Sequence, residues 1–229
     1  MKKLTRFFKY LLSGEFGKLF SALRERIPPW VYRHGNAYIF EKEKVSQDLN
    51  HKEPQNITNG FEFKICQRAD LFSCSKLLGI PVEECYKRYD HGDFCFAAFQ
   101  GNKIVNLSWF HHGPFYVRGF GYHENSNNNI SYLYNLITDP LYRCKGLFKN
   151  SIYLISKILF EKGSSKIISI VMCNNQISVN TYSRIGFKKT YKIRHLAIFG
   201  IKYTAVEDLG SKDVNRKIFV KIHKGAYVI

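Results

Sequence analysis

The sequence predicts an α/β fold of the α+β kind, a mixed sheet flanked by helices, with an N-terminal helical extension. Three observations carry that expectation. Strand-length apolar runs alternate with segments of helical periodicity between residues 61 and 201. Gly, Pro and Asn fall largely between those runs. Ahead of them, residues 1–33 repeat apolar positions at helical spacing and lead into a polar stretch.

In the extension, Leu4, Phe7, Phe8, Leu11 and Leu12 mark one amphipathic helix, and Phe16, Leu19, Phe20, Leu23 and Ile27 mark a second that ends at Pro28-Pro29. Lys2, Lys3, Arg6, Lys9, Lys18, Arg24 and Arg26 lie on the other faces. The apolar stripes can pack on the domain or on a second copy in a homo-oligomer, and the basic faces also suit peripheral contact with an anionic membrane. Residues 1–40 are thus expected to form a helical extension, 41–60 (rich in Lys, Asn and Gln) a linker or surface loop, and 61–229 the compact domain.

Within that domain, Phe61–Cys66 alternates as a strand, Gln67–Leu78 reads as a helix, and Pro81 opens another that runs to Tyr89. Residues 94–99 and 104–110 are strands joined through Gln100-Gly101-Asn102, a hairpin signal. The Gly-, His- and Asn-rich stretch from His111 to Asn129 reads as an exposed loop suited to substrate contacts. Residues 130–138 return to strand and end at Asp139-Pro140; 147–160 form a helix, 166–172 a buried strand, 176–184 a helix stopped by Gly186, and 188–201 one or two more strands.

Composition narrows the function. The net charge of +17 calls for an anionic partner, which by charge alone could be nucleic acid, a lipid surface or a phosphorylated small molecule. The six cysteines, Cys66, Cys74, Cys85, Cys95, Cys144 and Cys173, fall in no C-x2-C pair and follow no secretory signal, so reduced thiols in a cytoplasmic protein are expected and no metal site is. No apolar run approaches the roughly 20 residues needed to span a bilayer.

The chemistry concentrates after the strand at 130–138. Leu136-Ile137-Thr138-Asp139-Pro140-Leu141-Tyr142-Arg143-Cys144-Lys145-Gly146-Leu147-Phe148 is a strand, a turn containing Gly and a helix start. Backbone N–H groups at such a turn converge beside the positive end of the helix dipole and can cradle a pyrophosphate, with Arg143 and Lys145 adding charge. An ordinary connection with solvated basic residues satisfies the same sequence.

Arg143-x-x-Gly146-x-Phe148 resembles the Arg/Gln-x-x-Gly-x-Gly/Ala signature of the GNAT superfamily of N-acetyltransferases, preceded by that family's strand ending in Leu-x-Val/Thr-x-Pro. Asn175-x-x-Ser178-x-x-x-Tyr182-x-Arg184-x-Gly186-Phe187 is similar to its second signature, Asn-x-x-Ala/Ser followed by Tyr-x-Lys-x-Gly-Phe. The resemblance implies a splayed central sheet and acetyl-CoA, or another acyl-CoA, as co-substrate. It implies that the backbone of Ile137 and Thr138 binds the pantetheine arm, and that Arg143, Cys144, Lys145, Gly146, Leu147 and Phe148 hold the pyrophosphate. Asn175 and Ser178 match cofactor-contacting positions, and Tyr182 matches a tyrosine near the sulfur that can protonate the departing thiolate.

Two departures stand out. Phe148 occupies a position where many members have a small residue. Tyr132 and Tyr134, two residues apart and so on one strand face, stand where many relatives place a Glu or His base, leaving His111, His112, His123 and Glu124 or a tyrosine-held water as replacements. The extension and the aromatic, Asn-rich stretch around Phe115–Asn129 loosely resemble bacterial polysaccharide-pathway acyltransferases. That likeness implies a nucleotide-linked amino sugar as acceptor, in preference to a protein or other amine or to a non-catalytic protein that binds nucleic acid or membrane.

Overall fold

In a computed structural model, residues 32–44, 60–117, 119–120, 122–124, 129–198, 201–210, 218–219 and 227–228 are described. The expected helices of residues 1–31 and the polar stretch 45–59 lie outside them.

The elements follow in order. Strand β1 spans Tyr32–Glu43 and β2 Glu62–Ile65. A 3-10 turn at Arg68–Asp70 leads into α1 (Leu71–Leu78), and α2 is Val82–Asp90, with Pro81 at its N-cap. Strands β3 (Phe94–Gln100) and β4 (Lys103–His112) form the anticipated hairpin, followed by β5 (Phe115–Val117), β6 (Tyr122–Glu124) and β7 (Ile130–Thr138). A 3-10 turn at Pro140–Tyr142 precedes α3 (Leu147–Glu161), then β8 (Lys166–Met172), α4 (Gln176–Arg184), β9 (Lys188–Ile198) and β10 (Ile201–Asp208). Two short strands, β11 (Ile218–Phe219) and β12 (Tyr227–Val228), close the order.

Nine strands make one sheet in the order β11-β10-β9-β1-β8-β7-β4-β3-β2, and β12-β5-β6 make a second. Among the described residues of the large sheet, only β7 and β8 run parallel. Alternating side chains build a core on each face. Cys74, Cys85, Trp109, Tyr132 and Tyr134 gather on the α1–α2 side, while Phe40, Leu133, Ile152, Ile155 and Tyr182 gather on the α3–α4 side.

Two sequence expectations are corrected here. The extension was expected to reach residue 40 and the linker to begin at 41, yet Tyr32–Glu43 is a central strand between β8 and β9. Ala37, Ile39 and Phe40 are fully buried in it, because a strand paired on both edges can bury both faces and so lacks plain alternation. The stretch 111–129 is not simply an exposed loop: β5 and β6 pair, and Phe115 is fully buried, stacked on Tyr132 at 4.2 Å. Its aromatic rings face the core because they cover the Tyr132–Tyr134 stack. Cys66, Cys74 and Cys95, far apart in the sequence, meet in the core as well.

Candidate active site

The site begins with a break in pairing. Tyr134 of β7 opposes Trp109 of β4, but Ile137 opposes Leu107, so three steps along β7 match two along β4. The extra residue is a β-bulge, and Asn135 takes it up in the left-handed region at φ 49°. Asn tolerates that conformation better than most residues. The consequence shows on the other edge. β7 pairs with β8 from Ile130 to Leu133 and no farther, so the two parallel strands part and leave the second half of β7 open.

Which backbone groups face the opening follows from strand alternation. The Ile137 carbonyl accepts from Asn106 Nδ2 at 3.0 Å, and Asp139 N–H donates to the Val105 carbonyl at 2.9 Å, so both point toward β4. Leu136 and Thr138 therefore present their backbone groups to the cleft. This corrects the expectation for Ile137: its carbonyl is already engaged, while its residue still lines the cavity. Leu136, which the sequence reading passed over, turns its backbone to the cleft instead; the β-bulge that decides this leaves no mark in hydropathy.

Beside the open edge lies a cavity of about 860 Å³ lined by Thr138, Arg143, Cys144, Gly146, Leu147, Phe148 and Ser178. Tyr142, Lys149, Ile177, Thr181 and Ile185 complete much of its wall and were given no role from sequence, and Arg184 of the second signature lies there too. Gly146 stands at the N-cap of α3 with φ 75° and supplies no capping side chain, leaving first-turn N–H groups able to receive an anion. Cys144 also adopts a left-handed conformation, at φ 62°, so the loop turns sharply twice before the helix. Lys145 does not line the cavity; its ammonium lies 4.8 Å from the ring of Tyr142, whose other cationic neighbour is Lys103 at 4.9 Å.

The bulk of Phe148 is accommodated by direction. Its ring packs edge-on against Tyr182 at 5.8 Å and sits in the cavity wall, where a first-turn side chain turned back along the helix belongs. Asn175 is the N-cap of α4, accepting from Ser178 N–H at 3.2 Å, and it also lines the cavity.

Tyr182 is not among the cavity-lining residues. It is 3% exposed, with its ring against Phe40 and Phe187, and its hydroxyl lies 2.9 Å from Ser169 Oγ. Ser169 Oγ also donates to the Leu133 carbonyl at 3.0 Å, so the phenol reaches the point where β7 and β8 part. Burial raises its pKa well above the ordinary tyrosine value and keeps the O–H protonated.

The opposite sheet face carries a polar cluster. Asp93, 1% exposed, accepts a hydrogen bond from the Tyr134 hydroxyl and lies 2.7 Å from His111 Nδ1 through its other oxygen. His111 Nε2 lies 3.2 Å from the Pro114 carbonyl. Arg88 of α2 places its guanidinium over Tyr134 at 5.4 Å and over Trp109 at 5.7 Å. Asp93 was missed in the sequence, where nothing marks a single carboxylate at a strand entrance as buried. Tyr132, stacked between Phe115 and Tyr134, has its pKa raised by burial and keeps its proton, while Tyr134 donates its own to Asp93. His112 bonds Ser131 Oγ at 3.2 Å, and Glu124 accepts from the Tyr122 hydroxyl at 2.8 Å within the small sheet.

The profile of the acetyltransferase (GNAT) family matches residues 65–187, more than half of the chain. The chain belongs to that family, and so to the acyl-CoA-dependent N-acyltransferases. Among similar solved structures are a Trypanosoma brucei acetyltransferase (23% identity, 56% of this chain and 92% of that one, TM-score 0.44) and an aminoglycoside acetyltransferase from an uncultured soil metagenomic sample (19%, 57% and 90%, 0.48). A protein from Novosphingobium aromaticivorans assigned to the GNAT family shares 11% identity over 71% of this chain and 63% of its own, with a TM-score of 0.51. At these identities the likeness concerns the fold, and of the three only the last superposes closely enough to bear on it. No curated protein matches the sequence.

Proposed function

We propose that the protein transfers an acetyl or other short acyl group from acyl-CoA to the amino group of a nucleotide-linked amino sugar (a dTDP-sugar, for example) in cytoplasmic surface-polysaccharide synthesis. The donor half rests on the open edge of β7 beside the uncapped start of α3. An extended amide-bearing arm can add to that edge as a short strand, and a pyrophosphate can take the N–H groups above Gly146, with Arg143 close by. The thioester supplies an activated carbonyl. Tyr182 holds a proton at its hydroxyl, at the parting of β7 and β8, for the departing sulfur.

The observation that carries the acceptor is the net charge of +17. It attracts a nucleotide diphosphate and repels a polycationic amine. Arg88 adds a cation beside the Asp93–His111–Tyr134 cluster. In that cluster Asp93 is too buried to meet substrate and acts by orienting His111, which keeps a partly exposed edge. Once the Nε2 proton that faces the Pro114 carbonyl is lost to solvent, neutral His111, its Nδ1–H held by Asp93, would take the proton of the attacking amine at Nε2.

The test is CoA release from acetyl-CoA with a panel of nucleotide-linked amino sugars, free amino sugars, aminoglycosides, polyamines and lysine peptides. Preference for the nucleotide-linked sugars, with kcat/KM falling as salt rises, supports the reading. A preference for peptides or polycations overturns the acceptor assignment, and absence of CoA release with every amine overturns the enzymatic one.

A further inference from the structure

We propose that Cys66, Cys74 and Cys95 form a structural site for a zinc ion, with Cys85, which stands outside that group of three sulfurs, drawn in as fourth ligand. The first three come from the end of β2, from α1 and from β3, and their sulfur atoms all lie within 4.8 Å of one another. Cys74 Sγ is 3.8 Å from that of Cys66 and 3.6 Å from that of Cys95. Tetrahedral zinc–thiolate bonds of about 2.3 Å place neighbouring sulfurs about 3.8 Å apart, so two edges of the required polyhedron already exist. A disulfide would need about 2.05 Å, and all three thiols are free.

Burial argues the same way. The three are 0–1% exposed in an apolar cluster that also holds Cys85, fully buried on α2. A lone buried cysteine is an ordinary small apolar residue. Three converging from separate elements are the soft donor set that selects zinc. Cys74 Sγ donates to Cys66 Sγ, and a single S–H is shared between Cys74 and Cys95. A divalent cation supplies the charge that lets the thiol protons leave. Four S–H bonds lose their protons to solvent, four Zn–S bonds form, and nothing is oxidised or reduced. The ion would pin the α1–α2 pair to the β2–β3 edge, on the sheet face that carries Asp93 and Tyr134.

The test is elemental analysis of the full chain, purified reduced and without chelator, together with cobalt substitution after refolding. About one zinc per chain and thiolate-to-cobalt charge-transfer bands of a tetrahedral site are expected. Because Cys74→Ser can fail to fold, Cys85→Ser is measured beside it. It should retain native circular dichroism yet lose metal to a chelator that leaves the parent and Cys173→Ser loaded. Three results overturn the proposal: folded protein that takes up neither metal when refolded in excess, full metal retention in both Cys74→Ser and Cys85→Ser, or a disulfide among these residues in freshly isolated protein.

Discussion

Asn106→Ala tests the geometry of the cleft most directly. Asn106 is fully buried on β4, and its Nδ2 donates to the Ile137 carbonyl at 3.0 Å and to Thr138 Oγ1 at 2.8 Å. Its Oδ1 accepts from Ser151 Oγ of α3, so one amide ties β4, the open half of β7 and the helix above the cradle. Removing it leaves three partners. Water can reach the Thr138 hydroxyl, and Ser151 can rebond to its own helix, but the Ile137 carbonyl has no ready substitute. A buried polar group left unsatisfied costs about 1–3 kcal/mol, and the small cavity adds to this, for a total of about 2–4 kcal/mol. At about 2–4 °C per kcal/mol for a chain of this size, Tm should fall by about 4–16 °C. If binding must then reorder roughly one residue of β7, at about 1–2 kcal/mol, the Kd for CoA should rise about 5- to 30-fold. Thermal unfolding and calorimetric titration with CoA read the two effects. An unchanged Tm would show that the network carries no weight. A lowered Tm with unchanged CoA affinity would show that the open edge of β7 is not the wall of the donor site.

Other perturbations probe the remaining parts. Gly146→Val places a β-branched residue at φ 75°, where L side chains are strained by about 1–3 kcal/mol, so CoA affinity should fall at least several-fold in equilibrium titration. Normal affinity would mean that the cradle lies elsewhere. Tyr182→Phe should lower kcat by about 10²-fold with little change in KM for acyl-CoA, and an unaltered kcat would remove the phenol from the chemistry. Asp93→Asn replaces a carboxylate that meets two donor groups by an amide with one acceptor, so either Tyr134 or His111 loses its bond. Steady-state kinetics should show a reduced kcat/KM and a shifted acidic limb in its pH profile. A pH profile identical to that of the parent would confine the cluster to a structural role.

Much of the protein was legible in the chain because it depends on local order. Apart from β5 and β6, the strands and helices from residue 62 to 198 follow from apolar periodicity and from Gly and Pro placement, and α4 and β8 begin and end where the sequence indicates. The candidate cradle is local as well: a strand end, a left-handed glycine and a helix start are consecutive from Leu136 to Phe148, so the sequence marks the segment. Tertiary structure decided what depends on distant neighbours. Only pairing on both edges makes Tyr32–Glu43 a central strand, and only the one-residue slip at Asn135 turns Leu136 and Thr138 rather than Ile137 toward the cleft. Asp93, His111 and Tyr134 are far apart in sequence and meet across three strand segments, as Cys66, Cys74 and Cys95 meet across two strands and a helix. Local spacing encodes backbone conformation, whereas the donors and acceptors that converge on one point are set by the register of the sheet and the packing of helices upon it.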